Sequence, residues 1–277
     1  MANWDRITSR GDVEDRRGAS PLLLGGGGLG LAGTAIILLF NILSGGSVDL
    51  NSTLNQLQQS QARPQTGQSQ QFEGQDSYET FASTVLGSTN DTWTGVFEQS
   101  NKTYQPPKLV LFRNATQSAC GGATSEVGPH YCPANGTIYL DETFFDELTA
   151  KLGASEGAKG DVAQAYVIAH EVGHHVQHIL GTTDNVTSNA DSIKLELQAD
   201  CFAGVWAHSV ANEGVFQPGE INEAIAAAEA VGDDRIQKTV QGRVTPETWT
   251  HGSSAQRVQW FNTGLSTGKP ASCNTFK

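Results

Sequence analysis

Between Pro21 and Leu43 the chain carries no charged side chain. Leu22–Leu24, Leu29, Leu31 and Ala35–Phe40 supply the apolar content, and the length suits a helix crossing a hydrocarbon layer about 30 Å thick. Four consecutive glycines, Gly25–Gly28, would weaken such a helix in water, but glycine is better tolerated in membrane helices. A buried core helix is the competing interpretation, and the stretch lacks the polar face that would support it. The sequence therefore predicts one transmembrane helix over 21–43, preceded by a tail of residues 1–20. Arg6, Arg10, Arg16 and Arg17 come before it, and no Lys or Arg follows until Arg63. By the positive-inside rule the tail is cytoplasmic and the remainder extracytoplasmic, in the periplasm or outside the cell. A cleaved signal peptide is the alternative; the long acidic start and the lack of a small-residue cleavage site weigh against it.

Residues 44–76 form a polar Gln/Ser-rich linker with little to bury. The folded domain is expected over 77–277. The net charge of -12 argues against nucleic-acid binding, which normally shows a basic footprint. Four cysteines, Cys120, Cys132, Cys201 and Cys273, form no C-x-x-C pair, so a cysteine-only zinc site is not indicated. An even count suits disulfides in an oxidising compartment.

Within the domain, Tyr78, Phe81, Ala82, Val85 and Leu86 recur at helical spacing. Lys108–Arg113 and Gly136–Leu140 read as short strands. Cys120 and Cys132 lie between them in a Gly-rich loop, where a disulfide would staple the connection; two free thiols are the alternative. Helices are expected over Asp141–Leu152, from an Asp161 N-cap to about Leu180 with Gly181 ending it, over Ser188 to about Asn212, and over Pro218 to about Val231. Thr245-Pro246-Glu247 opens a further segment.

The stretch Ala169-His170-Glu171-Val172-Gly173-His174 contains H-E-x-x-H inside a predicted helix. Residues i and i+4 share a helix face, so His170 and His174 can offer imidazole nitrogens to one metal ion. Glu171 lies about 100° around. It reaches the water in the open coordination position, where it can act as general base. His175 and His178 follow on the same helix. His178 is about 12 Å along the axis from His170, so both read as surface or internally satisfied histidines. A third ligand is needed. Glu196 and Asp200 share a face of the next helix, which is too apolar to be mainly exposed, and buried acids need partners. Glu196 is the expected ligand, and Asp200 would orient a ligand histidine. His251 could donate to the oxyanion of a tetrahedral intermediate. Arg257 could pair with Asp200 or with a substrate carboxylate.

Residues 163–177, Leu195–Gly204, Thr250-His251-Gly252 and Gln256-Arg257 together resemble the putative neutral zinc metallopeptidase family of bacteria. The resemblance covers nearly the whole chain. More distantly, it is similar to gluzincins of the CAAX prenyl protease type, in which an E-x-x-A-D helix follows H-E-x-x-H and a His and an Arg stand six apart. That likeness implies Glu196 as ligand and His251 as a transition-state stabiliser. Gly252 stands where the distant group usually has proline, and a single membrane helix builds no enclosed membrane chamber, so prenylated substrates are not implied.

The expected whole is an α+β, zincin-like, mainly helical metallopeptidase domain with a small β-sheet, preceded by one transmembrane helix. Zn2+ is held by His170, His174 and Glu196, and Glu171 and His251 serve catalysis on a peptide or protein substrate. Asp200 and Arg257 support the ligands, and Cys120–Cys132 and Cys201–Cys273 are the expected pairs, with a buried free thiol as the alternative for Cys201. A zinc-binding protein without turnover and a hydrolase of cell-wall amides are the rival functions.

Overall fold

The computed structural model describes residues 1–18, 70–71, 76–125, 127–152 and 154–277. The expected transmembrane helix over 21–43 and most of the expected linker lie outside the described residues. Among the described residues no helix is long and apolar enough to cross a membrane.

The chain forms seven strands and seven α-helices among these residues. The strands are β1 (Val13–Asp15), β2 (Gln70–Gln71), β3 (Lys108–Leu111), β4 (Ala115–Ser118), β5 (Gly121–Thr124), β6 (His130–Cys132) and β7 (Thr137–Leu140). The helices are α1 (Ser77–Gln99), α2 (Phe144–Leu152), α3 (Asp161–Ile179), α4 (Asn189–Asn212), α5 (Ile221–Ala230), α6 (Asp233–Gln241) and α7 (Ser254–Thr267). The fold is α+β with helices dominant, as expected.

Five strands make one sheet in the order β2-β1-β3-β7-β6. β1, β3 and β7 run parallel, and β2 and β6 pair antiparallel at the two edges. Leu109, Leu111, Ile138 and Leu140 are fully buried, which fits the apolar runs of strands covered on both faces. β4 and β5 form a separate hairpin. The Cys120–Cys132 disulfide ties that hairpin to β6. Asp141 ends β7: its carboxylate accepts from the Asn114 and Thr143 amides, at 2.9 and 3.0 Å, and from the hydroxyls of Thr143 and Ser125.

Residues 1–18, expected as a tail outside the domain, are part of it. Val13, Glu14 and Asp15 pair with Leu109, Val110 and Leu111, and Ile7 and Val13 are buried in the core. Asp161 was expected to cap α3. The N-cap is Gly160 instead, and the Asp161 carboxylate accepts from Ala2 N and Trp4 Nε1, both at 2.8 Å. The segment at Pro246 is a single 3-10 turn, not a helix.

α3 sits at the centre, against α1, α4, α5 and the β6–β7 corner. Its residues Val162, Ala163, Ala165, Ile168, Val172 and Val176 are wholly buried. Gly173 brings α4 close: a Cβ there would lie 3.0 Å from the Ala199 backbone. α7 packs on the other side of α4 through Gly204 and Gly264. A Cβ at Gly264 would stand 1.9 Å from the Cys201 carbonyl oxygen, and one at Gly204 2.1 Å from that of Phe261. The Cys201–Cys273 disulfide closes this layer.

Gly264→Ala is expected to cost about 3 kcal/mol through overpacking of α7 against the α4 backbone. Urea unfolding of the two proteins measures this; an unchanged midpoint would show that the helices separate without penalty.

Candidate metal centre

The spacing argument holds at atomic level. His170 Nε2 and His174 Nε2 are 3.1 Å apart. Glu196, reaching over from α4, places Oε2 3.2 Å from His170 Nε2 and Oε1 3.5 Å from His174 Nε2. Ligand atoms held tetrahedrally at about 2.0–2.1 Å from zinc stand roughly 3.3–3.4 Å from one another. The three side chains form the one His/Cys/Asp/Glu group suited to a metal ion among the described residues. The Gly173–Ala199 contact explains why they meet. His170 and His174 flank Gly173 on one helix, Glu196 and Asp200 flank Ala199 on the other, and no side chain separates the backbones.

Both imidazoles present the same nitrogen. His170 Nδ1 donates to Asp200 Oδ1 at 2.9 Å, and His174 Nδ1 donates to Gln177 Oε1 at 2.9 Å. Each hydrogen bond fixes the tautomer that leaves Nε2 with a lone pair for metal. Gln177 is itself held, donating to Leu195 O at 2.7 Å and to Gln198 Oε1 at 3.1 Å. Gln198 donates onward to Cys273 O at 3.0 Å.

Asp200 has no exposed side-chain surface. Arg257 grips it with two hydrogen bonds of 2.9 Å, from Nε to Oδ2 and from Nη2 to Oδ1. Tyr166 adds its hydroxyl at 2.5 Å. Burial alone would raise the Asp200 carboxyl, but Arg257 and His170 outweigh it and bring it to about 2. Of the two partners considered for Arg257, the structure pairs it with Asp200. Burial likewise works to raise Glu196, yet His174, His170 and His251 hold it well below the usual carboxylate range.

Two further residues complete the surroundings. Glu171 is buried, and its Oε2 has no hydrogen-bond partner, an unusual state for a buried carboxylate oxygen. A buried oxygen left without a donor beside a ligand triangle of the right size is what a metal site with an open position requires, so the residues present fit zinc. His251 stands on the loop before α7, half-buried. Asp233, at the start of α6, accepts from the amides of Thr250, His251 and Gly252 at 2.9, 2.7 and 2.9 Å, and its Oδ1 lies 3.2 Å from His251 Nδ1. Burial tends to lower the His251 pKa, but Asp233 and Glu196 raise it. Gly252 has a left-handed φ of 88°, and a Cβ there would meet Ile193 and Leu197 of α4 at 3.2 and 3.3 Å. This close seating keeps His251 beside the helix that carries Glu196.

Sequence reasoning missed Asp233, Gln177, Gln198 and Tyr166 as supports. Gln177 follows His174 by three, a helical contact spacing that could have found it. Asp233 lies in an unremarked acidic pair and gave no signal. His175 is buried and satisfied, between Tyr131 Oη at 3.0 Å and the Gln105 carbonyl at 2.6 Å.

This site, two histidines and a glutamate on neighbouring helices beside a buried glutamate whose Oε2 lacks a partner, is compatible with a metal ion in an α+β protein whose sequence carries H-E-x-x-H. The family profile described as putative neutral zinc metallopeptidase matches residues 2–276, and the chain belongs to that family. It is similar to the Escherichia coli K12 protein YpfJ, with 45% identity over 99% of this chain and 98% of that one. It is similar also to the Mycobacterium tuberculosis H37Rv protein Rv2575, with 46% identity over 62% of this chain and 63% of that one. No solved structure matches it.

The surroundings of His170 favour a second proton on its ring in the metal-free protein. Burial lowers its pKa, but Asp200 and Glu196 together carry it up to about 9. A metal needs the neutral imidazole, so binding near neutral pH must expel that proton, and affinity should climb as pH rises toward 9. Calorimetric zinc titrations at pH 7.5, in buffers of different ionisation enthalpy, should show about one proton released per ion. Heats independent of buffer would contradict this.

Proposed function

We propose that the protein is a zinc-dependent peptidase that hydrolyses peptide bonds. The observation that carries this is Glu171, whose buried Oε2 lacks any partner beside the His170–His174–Glu196 triangle. A site serving only to hold a metal gains nothing from a buried carboxylate oxygen without a partner in the protein, because such an atom costs stability.

His170, His174 and Glu196 would hold the ion. When bound, zinc supplies Lewis-acid polarisation and makes water a nucleophile at neutral pH. Glu171 takes the proton from the attacking water at Oε2 and passes it to the leaving amine nitrogen. Asp233 accepts from His251 Nδ1 and favours the doubly protonated ring, and in that form Nε2–H can donate to the carbonyl oxygen as it gains charge. The hydrogen bond to Asp233 also keeps the second ring proton on to higher pH. Asp200, clamped by Arg257, steadies His170 without touching substrate. β6 is an outer strand of the main sheet and meets the metal-bearing helix through Tyr131 and His175. Its open edge suits an extended peptide, whose backbone can add to it as a strand. Two disulfides support an oxidising, extracytoplasmic setting.

The deciding comparison is Glu171→Gln in the full chain, with zinc content and cleavage of unstructured peptides measured together. Zinc should be retained while turnover falls roughly 10²–10⁴-fold. Undiminished cleavage by the variant would remove Glu171 from the mechanism, and no cleavage by the parent with zinc bound would overturn the peptidase reading. His251→Asn should lower kcat roughly 10²–10³-fold with little change in KM; a change confined to KM would make His251 a binding residue instead.

A further inference from the structure

We infer that residues 1–18 and the metal-bearing domain lie in one compartment, so the uncharged stretch 21–43 does not carry the chain across a membrane in a single pass. The argument begins with β1. It is not an outer strand but lies between β2 and β3. Leu109 N donates to Asp12 O at 2.9 Å and Arg16 N to Leu111 O at 2.7 Å, extending the ladder beyond the strand at both ends. A single crossing by 21–43 would place about 30 Å of hydrocarbon between strands that are hydrogen-bonded to each other. The two arrangements exclude one another.

The seating of this segment is built, not incidental. Gly11 N donates to Ser83 O at 2.7 Å, and Ser83 Oγ returns a hydrogen bond to Gly11 O at 2.8 Å. A Cβ at Gly87 would lie 2.6 Å from Arg10 N, and one at Gly11 2.4 Å from the Leu86 side chain. Trp4 packs edge-on against Phe81 and Phe216 and bonds the first residue of α3. Without residues 10–17, β3 would become an open edge beside the buried Leu109 and Leu111, the kind of edge that folded proteins cover.

The return of the chain gives a second, independent observation. β2, where the described chain resumes after residue 69, pairs antiparallel with β1, with Asp15 opposite Gln70 and Glu14 opposite Gln71. β1 therefore ends and β2 begins at the same end of the sheet. The intervening stretch 44–69 is rich in Gln and Ser and offers no apolar stretch for a crossing back.

The arginines that pointed to a cytoplasmic tail have structural partners here. Arg6 bonds Glu213 O at 3.1 Å, Arg16 bonds Glu14 at 2.8 Å and Gln117 O at 3.1 Å, and Arg17 bonds Asp15 and Glu142. Arg17 also reaches Asp76 at the start of α1, at 3.1 Å. Their charge serves the fold, which weakens its use as an orientation signal.

Labelling of an introduced thiol tests this in the full chain. All four native cysteines are in disulfides, so an added cysteine is the one free thiol. Thr8 and Glu247 are both exposed, and Thr8→Cys and Glu247→Cys leave the core untouched. Each variant is expressed in bacteria, and spheroplasts are treated with a membrane-impermeant maleimide before and after lysis. Both sites should label in the same sample, either both in intact spheroplasts or both only after lysis. Labelling of one site in intact spheroplasts and of the other only after lysis would overturn the inference.

Discussion

The Asp200 carboxylate governs this structure more than any other group. It is fully enclosed, and an enclosed charge is tolerated only when donors surround it. Its donors come from two other helices: Tyr166 and His170 on α3 and Arg257 on α7. Three helices distant in sequence must therefore meet at one point before the charge is satisfied. Removing one partner would leave an unpaired buried charge, which costs more than the loss of a surface ion pair. Orientation of a metal ligand and assembly of the helical layer are in this way the same event.

Around that point the protein uses glycine to set distances. Gly173 lets the two ligand-bearing helices approach until an imidazole and a carboxylate from opposite sides converge. Gly204 and Gly264 do the same for α4 and α7, which brings Arg257 within reach of Asp200. Gly252, on the left-handed side of backbone space, seats the loop holding His251 against α4. The polar chemistry depends on these close backbone contacts, because a shift of about 1 Å in either helix would open the ligand triangle.

The parts legible in the sequence were those encoded by local period. His170, His174, Glu196 and Asp200 follow helical spacing within single elements, and the α3 and α4 boundaries were read to within a residue or two. β3 and β7 were visible as apolar runs. Less local features escaped. β1 has three residues and no apolar run, and its partner strand lies some ninety residues later, so nothing nearby marks it as a strand. The four arginines around it read as a membrane signal, which concealed the pairing of Arg17 with Asp15, Asp76 and Glu142 and of Arg16 with Glu14. β4 and β5 are made of alanine, glycine and polar residues, which read as loop. α6 is strongly polar, and its important residue, Asp233, acts through backbone amides seventeen to nineteen residues away. No spacing rule reaches that far.

The hydrogen-bonded chain from His174 through Gln177 and Gln198 to the Cys273 carbonyl has a consequence in time. Ribosomes make the chain in order, so both histidines and Glu196 exist well before Cys273 does. Until that late residue arrives, Gln177 is held by the Leu195 carbonyl, but Gln198 beside it lacks its acceptor. The candidate metal centre therefore reaches its full set of supports only once the C-terminal segment has been made.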